Sequence, residues 1–157
     1  MSYETNRIGE FLNAFAQAAG LSELALTDEG SLFLSVDGAA LTLRHFPETD
    51  DLVIASTVAK RPEGDTERLA LCEKALKMNA FSRDVGEGVL GLLPDGSALV
   101  YSVWVKPGKL SYGDFEALLL RTADRVQKLR AAFSESDEAV AAPADLSWMQ
   151  GPGVLSV

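Results

Sequence analysis

Apolar positions near the start of the chain recur at three- and four-residue steps: Ile8, Phe11, Leu12, Phe15, Ala18 and Ala19 share one side of a helix. The spacing predicts a helix over residues 3–19, with Ser2 or Thr5 placed to cap it and Gly20 placed for a left-handed C-terminal turn. From Leu24 the period shortens to two. A short run at Leu24–Leu26 is followed by the turn Asp28-Glu29-Gly30, and then Leu32, Leu34 and Val36 alternate with Phe33, Ser35 and Asp37. Asp37-Gly38 is a two-residue hairpin signal, beyond which Leu41, Leu43 and His45 continue the pattern. The polar turn Pro47–Asp51 leads into a strand over Leu52–Val58. Turns this tight join antiparallel neighbours.

Thr66–Arg83 returns to helical spacing and carries two apolar stripes rather than one. Leu69, Cys72, Leu76 and Ala80 lie on one face, and Leu71, Ala75 and Met78 on roughly the opposite face. One stripe satisfies a surface helix, so the second requires another partner, from this chain or from a second copy. Asp65 or Thr66 is placed to cap this helix. Strands follow at Val89–Leu93 and Ala98–Val105, divided by the turn Pro94-Asp95-Gly96-Ser97. Ser111 with Asp114 opens a third helix in capping-box fashion, and Phe115, Leu118, Leu119, Val126, Leu129 and Phe133 line its apolar face. The fold class is α+β in the order α-β-β-β-α-β-β-α: a twisted antiparallel sheet packed with helices over residues 1–133. Residues 134–157 hold four acids and no basic residue, the composition of a disordered tail, interrupted by the apolar island Leu146-Ser147-Trp148-Met149.

Charge narrows the function. With 14 basic against 23 acidic residues the net charge is −9, which disfavours nucleic acid and anionic membrane surfaces as partners. No apolar run is long enough to span a bilayer, and the N-terminus lacks the build of a signal peptide, so a cytoplasmic protein is expected. One cysteine and one histidine cannot assemble a zinc site, and neither a metal nor a cofactor is expected. Gly86-Glu87-Gly88-Val89-Leu90-Gly91 spells the dinucleotide motif, but a helix precedes it and a strand follows, the reverse of what phosphate binding at a helix N-terminus needs. His45 has no evident partner for general-base work, and Cys72 sits on an apolar stripe, so no catalytic residue is assigned. What stands out is an excess of apolar faces, which points to a binding module and an oligomer.

The chain resembles the class I type III secretion chaperones of the Tir-chaperone (CesT-like) type over residues 5–133. The resemblance is carried, in order, by the first helix ending in Gly20-Leu21, the hairpins of LFLSVDGAALTLRHF and the strand DDLVIASTVAKRP. It continues in the helix LCEKALKMNAF with its Leu-x-x-Asn stretch and in the closing hairpin GVLGLLPDGSALVYSVWV. The resemblance implies a bacterial cytoplasmic homodimer, without enzymatic activity, that binds an extended N-terminal segment of a secreted effector. It further implies a dimer contact through Leu69, Cys72, Leu76 and Met78, and effector grooves formed by Phe11, Leu12, Phe15, Leu32, Leu34, Leu41 and Leu43. The competing reading is a small α+β ligand-binding or regulatory domain whose apolar groove takes a small molecule.

Overall fold

The computed structural model describes residues 3–81 and 83–134, so most of the acidic tail (135–157) and the cap candidate Ser2 lie outside the described residues. The elements follow the expected order: α1 (Tyr3–Ala18), β1 (Ser31–Val36), β2 (Ala39–Phe46), β3 (Asp51–Lys60), α2 (Asp65–Asn79), β4 (Val89–Leu92), β5 (Ala98–Val105) and α3 (Tyr112–Phe133). A single turn of 3-10 helix, Pro107–Lys109, joins β5 to α3. The five strands form one antiparallel sheet in the order β1-β2-β3-β5-β4. The α+β class and its element order are therefore those read from the sequence.

Local chemistry accounts for most boundaries. Gly20 has φ +65° and ends α1, with Gly20 donating to the Gln17 carbonyl (3.3 Å) and Leu21 to the Ala16 carbonyl (2.9 Å). Those two bonds close a Schellman turn. Asp37 and Gly38 both take positive φ, 48° and 81°, as a two-residue hairpin requires. The Ser111 hydroxyl accepts from the Asp114 amide (3.1 Å) while the Asp114 carboxylate accepts from the Ser111 amide (3.0 Å), a complete capping box.

Three expectations change. Leu24–Leu26 forms no strand; Leu24 and Leu26 lie half-buried against the core from an irregular segment. The N-cap of α2 is Gly64 rather than Asp65 or Thr66, with no side-chain cap. And α2 stops at Asn79, four residues short of Arg83, where the Asn79 side chain bonds to Leu90 of β4.

The two faces of the sheet differ. On the inner face Leu41, Leu43, Leu52, Ile54, Leu99 and Tyr101 pack beneath α1 and α3, where Phe11 and Phe115 stack with ring centres 5.2 Å apart. Truncating one of these enclosed leucines to alanine costs about 2–5 kcal/mol. Arg130 fixes α3 across the sheet, its guanidinium donating to the Thr57 carbonyl and the Ser56 hydroxyl, both at 3.0 Å. Burial lowers the Arg130 pKa from its ordinary value. The outer face carries a separate small cluster, Val53, Ala55 and Val100, flanked by Phe46 and Leu93, and no described helix contributes to it.

Candidate binding surfaces

The geometry of α2 settles which of its stripes is internal. Ala75 is buried, and Leu71 and Met78 pack partly buried against the domain's own core. The other stripe is left outside: Leu69 is 61% and Leu76 69% exposed, and Phe81, just past the helix, is 91% exposed. Cys72 is half-buried at the boundary. Of the four residues expected at a dimer contact, Leu69, Leu76 and the margin of Cys72 thus remain at the surface. Met78, three residues after Ala75, shares the inward face and lies partly buried against the core.

Beside this stripe runs β4, an outer strand of the sheet, with Val89 and Leu92 also exposed. Its backbone is not open along its length. The Asn79 side-chain amide donates to the Leu90 carbonyl and accepts from the Leu90 amide, both at 2.9 Å. One asparagine therefore imitates a neighbouring strand and occupies the outward groups of Leu90. A partner meeting this margin at Leu90 finds apolar side chains rather than free backbone.

The opposite margin is β1. Ser31 exchanges outward bonds with Thr27 (the Thr27 amide to the Ser31 carbonyl, 2.8 Å; the Ser31 amide to the Thr27 hydroxyl, 3.2 Å). By the alternation of an antiparallel strand, Phe33 and Ser35 then also direct their backbone groups outward. Phe33 is 58% exposed on the outer face, and Leu32 is half-buried on the inner one. Leu21, in the segment preceding β1, is exposed as well.

Of the seven residues expected to line effector grooves, Leu32 alone keeps appreciable surface. Leu12, Leu41 and Leu43 are fully enclosed, and Phe11, Phe15 and Leu34 nearly so. Their apolar periodicity is that of the core shared by α1, α3 and the sheet, which is why it reads so strongly in the sequence. These six lie in the core cluster behind the β1 margin. Phe33 escaped notice because, in an alternating strand, the off-phase position is usually polar. Phe81 lay at a helix end, outside any periodic stripe.

The candidate chemistry resolves into structure. His45 is buried and its Nε2 lies 3.3 Å from Asp50 Oδ1, while Asp50 Oδ2 accepts from the Gly108 amide at 3.2 Å. This pair ties the β2–β3 turn to the β5–α3 connection. Nearby, hydrogen bonding from Thr49, with Lys106 adding its charge, holds the Asp51 carboxyl below its ordinary pKa. In the glycine-rich stretch, Gly86 takes φ +62°, and a Cβ on Gly88 would lie 2.4 Å from the Tyr101 ring. Gly88 thus makes room for Tyr101, whose hydroxyl donates to the Val85 carbonyl (2.7 Å) and whose pKa is raised by burial. Two of the three motif glycines serve backbone and packing, not phosphate. Among the described residues no cluster of three or more His, Cys, Asp or Glu side chains is placed to hold a metal ion. No described helix is long and apolar enough to cross a membrane.

The fold is an α+β module: an antiparallel sheet backed by helices, with apolar side chains displayed at both margins. Residues 10–130 match the Tir chaperone protein (CesT) family, and the chain belongs to that family. Its fold is similar to a chain of the ExsC–ExsE complex, with 20% identity, 87% of this chain and 100% of that chain covered, and a TM-score of 0.65. It is also similar to a chain of the HopA1–SchA chaperone–effector complex (17% identity, 87% and 99% covered, TM-score 0.63). A third likeness is to a chain of the heterodimeric ExoU–SpcU complex from the type III secretion system of Pseudomonas aeruginosa (17% identity, 82% and 99% covered, TM-score 0.61). No curated protein matches the sequence. The resemblance to class I type III secretion chaperones thus holds at the level of family and fold.

Proposed function

We propose that this protein is a homodimeric, non-enzymatic chaperone of the bacterial cytoplasm that binds an extended N-terminal segment of a secreted effector and keeps it soluble and ready for export. Beyond family membership, one observation carries the reading: the sheet has two apolar margins of different construction, at β4–α2 and at β1. The β4–α2 margin, with Leu69, Leu76 and Phe81 outward and the strand edge occupied at Leu90, suits a side-chain interface between two copies, with Cys72 at its border. The β1 margin suits an extended peptide, which adds backbone hydrogen bonds to an open edge while its side chains fill neighbouring pockets. There Leu32 and Phe33 make the contact, and Phe11, Leu12, Phe15, Leu34, Leu41 and Leu43 support it from within. Binding alone holds the effector segment extended, so the reading requires neither a cofactor nor a nucleotide.

The test is co-expression with the N-terminal segment of an effector encoded beside this chain. The expected result is a soluble complex of two copies of this chain with one effector segment, measured by light scattering. A chain that stays at 16.8 kDa and leaves the segment insoluble would overturn the proposal.

A further inference from the structure

On α3 two arginines stand one turn apart, Arg121 and Arg125, beside the connection between α2 and β4. Like charges at that spacing disfavour a helix, and the partners of both lie outside it. Arg121 offers the edge formed by Nε and Nη2 to the Glu87 carboxylate, at 3.1 and 3.4 Å. These two side chains are 58% and 47% exposed, so water screens the pair and it contributes little to stability. Arg125, half-buried, uses the other end of its guanidinium: Nη1 donates to the Asp84 carbonyl at 2.7 Å. Its Nε and Nη2 meet no acceptor among the described residues. That edge is turned to Gly86, where a Cβ would lie 3.2 Å from Nη2 and 3.6 Å from Nε, so the missing side chain keeps it uncrowded. One guanidinium edge is therefore filled by a resident carboxylate, and the neighbouring one is vacant. Both arginines border a cleft of about 350 Å³, lined also by Gly86, Glu87, Tyr101 and Asp124.

We propose that the vacant edge of Arg125 is a docking point for one acidic side chain, an aspartate or glutamate presented by a partner protein. Geometry and charge select it. The Nε–Nη2 edge of a guanidinium matches a carboxylate through two parallel hydrogen bonds, the arrangement Glu87 already makes with Arg121. Around the cleft Arg121, Arg125 and Lys128, which pairs with Asp124, oppose Glu87 and Asp124: three cations against two carboxylates leave one positive charge. A single carboxylate neutralises that charge, whereas a dianionic phosphate would exceed it beside two resident acids. Because the whole chain carries −9, the attraction is confined to the cleft, and an acidic partner gains it only in direct contact. The inference is independent of the chaperone reading.

NMR of the arginine side chains in the full-length protein tests it, with the peptide acetyl-Gly-Ala-Glu-Ala-Gly-amide as probe. The Arg125 Nε–H signal is expected to shift saturably, and that of Arg121, already bonded to Glu87, several-fold less. The glutamine counterpart of the peptide should move neither. Arg125→Lys keeps the charge but loses the fork, so binding followed on the Gly86 and Glu87 amides should weaken about tenfold. Glu87→Gln empties the Arg121 edge, whose signal should then respond as strongly as that of Arg125. Equal shifts at the two arginines of the unsubstituted protein, a response to the glutamine peptide, or undiminished affinity in Arg125→Lys would each overturn the proposal. Glutarate binding more tightly than the peptide would overturn it too, since the cleft would then serve a small dicarboxylate.

Discussion

At the β1 edge the outward backbone groups of Phe33 and Ser35 accept no described partner, whereas at the β4 edge Leu90 already gives both of its outward groups to the Asn79 amide. Open strand edges invite pairing with any extended chain, so a fold that must pair on one side gains by closing the other. Here the closing device is a single helix-terminal asparagine. On the proposed reading, the β4–α2 margin is then recognised through side chains such as Leu69 and Leu76, exposed there, and backbone recognition falls to β1.

The comparison can be broken from either end. The largest effect is expected from the double substitution Leu69→Asp with Leu76→Asp. Each leucine buried at a contact contributes about 1.5–3 kcal/mol. Losing both should weaken self-association by roughly a hundredfold or more. Light scattering over a dilution series should then show single chains at concentrations where the unsubstituted protein is expected to be paired, with the circular dichroism spectrum unchanged. At the other margin, Ser35→Pro removes an outward amide from an edge strand, where proline is tolerated. Effector-segment affinity should drop by about tenfold, the value of one lost hydrogen bond to a neighbouring chain. Self-association should be untouched. If Ser35→Pro instead disrupts the dimer, the two margins are not separate.

Asn79→Ala probes the closing device itself. It leaves the Leu90 amide and carbonyl without their partner, at a cost of about 1–3 kcal/mol in denaturant unfolding. It also opens the β4 edge, so the variant should form higher oligomers on concentration, where the native protein does not. The smallest effect concerns acid. Asp51, held by hydrogen bonds from Thr49 and Lys106, and Asp114, held by Ser111, both have pKa values lowered in the folded state. A lowered carboxyl contributes stability that is complete above its unfolded value and lost as pH falls through the folded one. Melting temperature should therefore hold steady near neutrality and decline below about pH 4. Asp51→Asn and Asp114→Asn should flatten that decline; an unchanged acid slope would show that these carboxyls do not control it.

Much of the architecture was legible in the sequence because it rests on local rules. The periodicity of Ile8, Phe11, Leu12 and Phe15 forces a helix with one buried side, and Asp37-Gly38 permits little but a hairpin. Ser111 with Asp114 starts α3 by hydrogen bonds spanning three residues. Periodicity marks a buried face without saying what that face meets. Leu12, Leu41 and Leu43 repeat so regularly because they are core, and regularity does not tell a wall from a surface.

The sequence by itself determined the class of fold, the order of its elements, the kinship with secretion chaperones and the existence of a surplus stripe on α2. Tertiary structure alone decided which stripe is surplus. Leu71, Ala75 and Met78 turn inward because α2 is held to the margin of the sheet by the Asn79–Leu90 bonds. The contact between Lys74 and the end of α3 holds it from the other side. Periodicity reports that residues share a face; only the docking of one element on another determines what that face meets.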